Sequence, residues 1–240
     1  MQFPISKHKS GLYVRLGTYE CTLPSEVVRS YGWLDIKHKS VLDIGANIGA
    51  FSKYALQRGA SVVWAFEPDD SNFALLQKNA PEAHLYHAAL ISNNDIDHVK
   101  FYKTKSGKNP GNYSTVPFRN RIVTTVPAMG FQKVLDKFQP EIIKMDCEGA
   151  EYDLMKCTLP DSVQEIAMEL HLTKMEFRRD VIHLIACFDT WEIVIPPKYN
   201  DKSWTCLFGV RKRQNSVIKS IKSILNQYGI KGELNDKTKQ

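Results

Sequence analysis

Along this chain, apolar runs of strand length, each bounded by turn-forming residues, alternate with stretches in which apolar side chains recur every third or fourth position. The first pattern is that of strands buried on both faces and the second that of amphipathic helices. Their alternation predicts an α/β sheet of mostly parallel strands joined by crossover helices. Strands are expected at 40–44, 61–66, 84–87, 99–102, 122–126, 142–146, 165–170, 191–195 and 204–210. Helices are expected at 24–31, 48–57, 71–79, 131–138, 150–155, 174–188 and 216–228. The rhythm breaks at 104–121, which is rich in Gly, Pro, Asn and Ser and follows no period. A loop of that length in a compact domain is either a lid over a ligand or an insertion.

Composition narrows the picture without changing it. With 240 residues, 43% hydrophobic and 24% charged, the chain can bury a large core in one domain. That domain is expected over 1–210, with a lead-in at 1–35 and a basic C-terminal helix and tail at 211–240. The opening MQFPISKHKSGLYVRLG lacks the apolar centre of a signal peptide, and no run approaches the ~20 apolar residues of a membrane span. A soluble, cytoplasmic protein is expected. Five scattered cysteines without C-x-x-C spacing indicate neither a disulfide framework nor a zinc cluster. The net charge of +6 arises wholly from Arg211 onward, since the body before it balances 24 basic against 24 acidic residues. That basic end, with Lys103, Lys105, Lys108, Arg119 and Arg121 around the long loop, makes nucleic acid a candidate partner.

The first chemistry lies in VLDIGANIGAFS at 41–52, a buried strand, a glycine turn and a helix face. Gly45 lets the backbone turn sharply beside a ligand, and Gly49 lets the helix pack close to the strand. The next strand ends at Glu67, where a carboxylate can accept hydrogen bonds from both hydroxyls of a ribose, or else cap the helix that follows. A dinucleotide fingerprint needs glycine where Asn47 stands, to admit a pyrophosphate. Asp43 suits a ligand with a positive amino acid part. S-adenosylmethionine, which has a ribose, an ammonium and a sulfonium but no phosphate, meets these demands, whereas NAD does not.

The second chemistry lies at the ends of two later strands. Asp146 closes the run IIKMD, and Glu169 and His171 stand two apart on the next strand, hence on one face. Methyl transfer to a hydroxyl needs a base or a metal beside the acceptor oxygen. Two arrangements are open: Asp146 and Glu169 holding Mg²⁺ or Mn²⁺, or His171 acting alone as general base. Asp146 and Glu148 can instead accept bonds from the amides that open the next helix, and Lys144, Glu148 and Glu151 can form an ion-pair network holding the turn.

Three blocks, VLDIGANIGAFS, FEPDDSNFALLQKN and IIKMDCEGAEYDLM, make the chain resemble the FkbM-type methyltransferases from about Tyr19 to about His171. The resemblance implies a single Rossmann-like class I methyltransferase domain, a mostly parallel seven-stranded sheet with helices on both faces, and O-methylation of a sugar or other small-molecule or glycan acceptor. It places the cofactor against Gly45, Asn47 and Gly49, the ribose on Glu67, the adenine beside Ala89 and Leu90, and Glu20 near the methionine ammonium. Three other readings remain: an RNA ribose-hydroxyl methyltransferase, an NAD-dependent dehydrogenase and a domain without chemistry.

Overall fold

The computed structural model describes residues 3–104, 113–117, 121–171, 184, 188, 191–195 and 205–212. The chain opens with a hairpin of β1 (Ile5–Lys7) and β2 (Tyr13–Arg15) and passes through a 3-10 turn at Tyr19–Cys21 into α1 (Leu23–Tyr31). It then alternates through β3 (Ser40–Ile44), α2 (Ala50–Gln57), β4 (Val62–Phe66), α3 (Asp70–Asn79) and β5 (His84–Tyr86). There follow β6 (Ala89–Ile91), β7 (His98–Lys103), β8 (Ile122–Gly130) and α4 (Phe131–Phe138). The last elements are β9 (Ile142–Met145), α5 (Glu151–Leu154), β10 (Glu165–His171), β11 (Trp191–Ile195) and β12 (Thr205–Lys212).

Seven strands form the main sheet in the order β11-β12-β10-β9-β3-β4-β5. The pairs among β10, β9, β3, β4 and β5 are parallel, and β12 runs antiparallel to both of its neighbours. Alternation along each strand sends successive side chains to opposite faces. Val41, Val63, Ile142 and Ala167 thus meet Val27 and Tyr31 of α1 and Phe51 and Ala55 of α2. Leu42, Ile44, Phe66, Ile143, Met145 and Met168 meet Phe131, Val134 and Leu135 of α4 and Leu154 of α5. With water excluded on both sides, the central strands β3, β4 and β9 read as apolar runs, interrupted only by the buried pair Asp43 and Lys144 in β3 and β9. Each fully buried Ile, Leu or Phe contributes about 1.5–3 kcal/mol.

The expected strands at 99–102 and 122–126 do not join this sheet. They pair with each other in a separate three-stranded sheet, order β6-β8-β7, in which β8 alone also pairs with β6. β8 also runs to Gly130, past the expected end at 126. It pairs with β7 as far as Pro127 and with β6 from Ala128 onward, so the residue without an N–H stands where the strand changes partner. The helix expected from 48 begins at Ala50, because Gly49 is left-handed at φ 86°. β12 continues to Lys212, two residues beyond the expected domain end. The helices expected at 174–188 and 216–228 lie outside the described residues, apart from Leu184 and Phe188. Among the described residues no helix is long and apolar enough to cross a membrane.

Candidate active site

The C-terminal ends of β3, β4 and β9 meet at one edge of the sheet, where open α/β folds bind their ligands. Gly45, just past β3, has φ 72°, and a Cβ there would lie 1.8 Å from the Asp146 carbonyl oxygen. The glycine is therefore demanded by the close approach of two turns, more directly than by a ligand. Gly49 serves packing as well, though against α3 rather than the strand: its Cβ would fall 2.7 Å from Leu76 Cδ1.

Between them Asn47, also left-handed at φ 52°, donates its backbone N–H to Glu67 Oε2 at 2.8 Å. Its side-chain Nδ2 donates to the Tyr19 hydroxyl at 2.8 Å, which leaves Oδ1 buried with no hydrogen-bond partner among the described residues. An acceptor stranded in this way costs about 1–3 kcal/mol until a donor reaches it. Glu67 Oε1 accepts from the Asp69 N–H at 2.8 Å, and α3 is capped by Asp69, not by Glu67. Burial pushes the Glu67 carboxyl up to about 7. Asn72 also hydrogen-bonds this carboxylate, which leaves it one lone pair for a further donor.

These groups line a pocket whose other walls include Ala89, Leu90, Phe101, Tyr113, Asp146 and Glu148. A second lobe, walled by Tyr31, Phe51 and Glu169, shares Gly45, Asn47 and Asp146 with the first. The segment 113–117, the described part of the expected lid, is held to β7 by a Tyr102–Ser114 bridge and to the Asp146 turn by the Ser114 hydroxyl, which donates to the Glu148 carbonyl.

Three residues expected at the cofactor are engaged elsewhere, and one of them is Gly49, which packs on α3 and lines neither lobe. Asp43 is wholly buried beneath the glycine turn, 3.2 Å from Lys144 Nζ and 2.6 Å from the Ser52 hydroxyl, and lines neither lobe. Lys144 also donates to the Gly45 carbonyl at 2.7 Å, so it pairs with Asp43 and braces the turn instead of joining Glu148 and Glu151. Burial alone would lower the Lys144 ammonium, but Asp43 and Asp146 outweigh it and hold it charged. Glu20, likewise fully buried, is bound by the Arg15 guanidinium at 2.8 Å and the Arg15 N–H at 2.7 Å.

At the end of β9 the grouping differs from the one expected. Donor atoms of Asp146, Glu148 and His171 lie within 4.8 Å of one another, while Glu169 stands in the second lobe outside that group. The cause is the left-handed pair Glu148 (φ 57°) and Gly149 (φ 107°), which folds the chain back so that Glu148 reaches His171. The amides of the turn are capped by Glu151, not by Asp146 or Glu148: its carboxylate accepts from Cys147 N–H at 3.0 Å and Gly149 N–H at 2.9 Å.

His171 lies between two carboxylates, with Nδ1 3.0 Å from Glu151 Oε1 and Nε2 3.2 Å from Glu148 Oε2. Burial would lower its pKa, yet the two glutamates outweigh burial and push it up to about 12. Both ring nitrogens face carboxylates, an arrangement that favours the imidazolium over the neutral ring. Burial raises the Asp146 carboxyl, against the pull of Lys144 and His171. Burial also raises that of Glu148, against its hydrogen bond from His171. From its position alone Glu148 reads as a turn residue, and the signal for its place beside His171 is the Asp-x-Glu-Gly spacing, whose glycine permits the fold-back.

The mixed seven-stranded sheet, with a pocket built on the ends of β3, β4 and β9, defines a Rossmann-like α/β domain. The chain belongs to the FkbM methyltransferase family: the sequence profile of the methyltransferase FkbM domain matches residues 43–194. Membership makes it an S-adenosylmethionine-dependent methyltransferase and displaces the dehydrogenase reading. No curated protein matches it. Among solved structures it is similar to the precorrin-6y C5,15-methyltransferase of Geobacter metallireducens GS-15, at 13% identity and TM-score 0.48 over 88% of this chain and 100% of that one. It is also similar to the magnesium protoporphyrin IX methyltransferase of Synechocystis PCC 6803 with bound S-adenosylmethionine, at 11% identity and TM-score 0.45 over 83% and 81%. These are likenesses of fold alone.

The residues suit that cofactor, since Glu67 and the stranded Asn47 Oδ1 are acceptors awaiting donors. Glu67→Ala is expected to weaken S-adenosylmethionine binding by about 1.5–3 kcal/mol, roughly 10- to 150-fold, the range for a charged hydrogen bond. Donors stabilise the carboxylate over the acid, so affinity should rise as pH climbs through about 7 and Glu67 ionises. Calorimetry across that range checks both, with Glu67→Gln losing the slope. Unchanged affinity in Glu67→Ala would remove the residue from the site.

Proposed function

We propose that the protein transfers the methyl group of S-adenosylmethionine to a hydroxyl oxygen of a sugar or other small-molecule or glycan acceptor, with Asp146 taking the hydroxyl proton. The observation that carries this reading is the position of Asp146, which borders both lobes and whose carboxyl is raised by burial. When bound, the cofactor supplies an electrophilic methyl on its sulfonium. Glu67 and Asn47 hold the nucleoside end, which fixes the line of attack. Asp146 withdraws the acceptor proton as the oxygen gains its new bond. The carboxylates of Asp43, Asp146, Glu148 and Glu151 outnumber the cations Lys144 and His171, and that excess favours a cationic donor.

A second reading puts Mg²⁺ or Mn²⁺ on Asp146, with either Glu169 or the pair Glu148 and His171, whose donors are close enough. The imidazolium of His171 already supplies the positive charge that clustered carboxylates require, and a metal would have to displace its proton. RNA ribose methylation is the other alternative. Its support weakens at Lys103, whose ammonium lies 2.6 Å from Asp69, and Lys105, Lys108, Arg119 and all of the C-terminal segment beyond Lys212 lie outside the described residues.

One assay separates these readings: methyl transfer to a panel of hydroxyl-bearing acceptors, with and without chelator and over a range of salt. Turnover that survives chelator, gives a methyl ether and changes little with salt is expected. Loss in chelator with rescue by Mg²⁺ or Mn²⁺ would install the metal, a steep fall with salt would favour RNA, and methylation at nitrogen or carbon would overturn the hydroxyl reading.

A further inference from the structure

The segment that carries β2 and the 3-10 turn lies before the matched family domain, which begins at residue 43, and yet it is wired into the pocket. Tyr19 accepts the Asn47 Nδ2–H at 2.8 Å. The next residue, Glu20, is buried against Arg15, and the second guanidinium nitrogen of Arg15 donates to Asn72 Oδ1 at 2.7 Å. Asn72 lines the pocket and hydrogen-bonds Glu67, which in turn accepts the Asn47 N–H. The contacts form a closed ring, Tyr19–Asn47–Glu67–Asn72–Arg15–Glu20, with the short N-terminal turn as one of its sides. The hairpin is itself tied down, since Tyr13 and Asn79 exchange hydrogen bonds of 2.7 and 3.0 Å.

From this ring we infer that Tyr19 is a positioning residue for the cofactor site: by holding the amide nitrogen of Asn47 it directs Oδ1 toward a hydrogen-bond donor of the bound cofactor. A free asparagine side chain samples several rotamers, and the hydrogen bond to the phenol holds it in the one that borders the pocket. The turn that carries Tyr19 is anchored one residue along by the buried Arg15–Glu20 pair. The site therefore extends beyond the family domain and depends on a residue that touches the ligand through another. This rests on the cofactor reading above.

The test is a double-mutant cycle on S-adenosylmethionine affinity, measured by calorimetry with the full chain. Tyr19→Phe removes only the hydroxyl, and Asn47→Gly removes the amide while tolerating the left-handed backbone. Tyr19→Phe is expected to weaken binding about tenfold, the worth of one ordinary hydrogen bond, with thermal unfolding little changed. In the Asn47→Gly background the same substitution should have no further effect, because its route to the ligand is gone. Wild-type affinity in Tyr19→Phe, or losses that multiply in the double variant, would overturn the inference while leaving the cofactor reading intact. Failure of the wild-type chain to bind the cofactor would overturn both.

Discussion

Asp146→Asn is expected to lower the maximal rate of methyl transfer roughly 10²- to 10⁴-fold, the contribution of a positioned general base. The amide has the shape of the carboxylate and loses only its ability to take a proton. The backbone that meets Gly45 is left in place, because the contact there is with the Asp146 carbonyl and not its side chain. Cofactor affinity should accordingly stay within a few-fold of the parent, since Glu67 and Asn47 are untouched. The rate of the parent should fall as pH drops through the raised Asp146 pKa, and that limb should vanish in the variant. Rates at saturating acceptor, with affinity measured separately, decide the matter. A full maximal rate in Asp146→Asn would sink the assignment, and a greater loss in Glu148→Gln would pass the role to Glu148, the other carboxylate on that wall.

Gly45→Ala carries the second large expectation, a loss of roughly 2–6 kcal/mol of folding stability. About 1–3 kcal/mol of it comes from forcing an L-residue into the left-handed region, and a similar amount from overpacking. At φ 72° a side chain is strained whatever the space, and here the space is filled by backbone only 1.8 Å from the new Cβ. A carbonyl at the end of a central strand cannot retreat as a flexible side chain would. Denaturant titration of both proteins reads the difference. Equal midpoints and slopes would mean that the β3 and β9 turns do not meet as closely as described.

Much of this architecture was legible in the chain. The central strands are buried on both faces, so burial itself writes them as apolar runs, and β3, β4, β9 and β10 fall within a residue of their expected positions. The acidic end of β4 and the carboxylate at the end of β9 stand at the pocket edge for the same reason, because a parallel sheet delivers its C-terminal ends to one side. The β1–β2 hairpin was not legible: each strand has three residues, and its anchorage on Asn79 comes from 66 positions away. Nor was the end of β8, where Pro127 reads as a strand breaker unless the change of partner is known.

For the site the division is sharper. Residue types, and the edge of the sheet at which they gather, are set along the chain, since both follow from local pattern and strand direction. Their partners are set by the packing of distant segments. That packing set Asp43 on Lys144, Glu20 on Arg15 and His171 between Glu148 and Glu151, and placed Glu169 outside the group of Asp146, Glu148 and His171. Charge pairing inside a protein depends on distances of a few ångströms between segments remote along the chain. Two left-handed residues at 148 and 149 were enough to exchange one carboxylate for another beside the histidine.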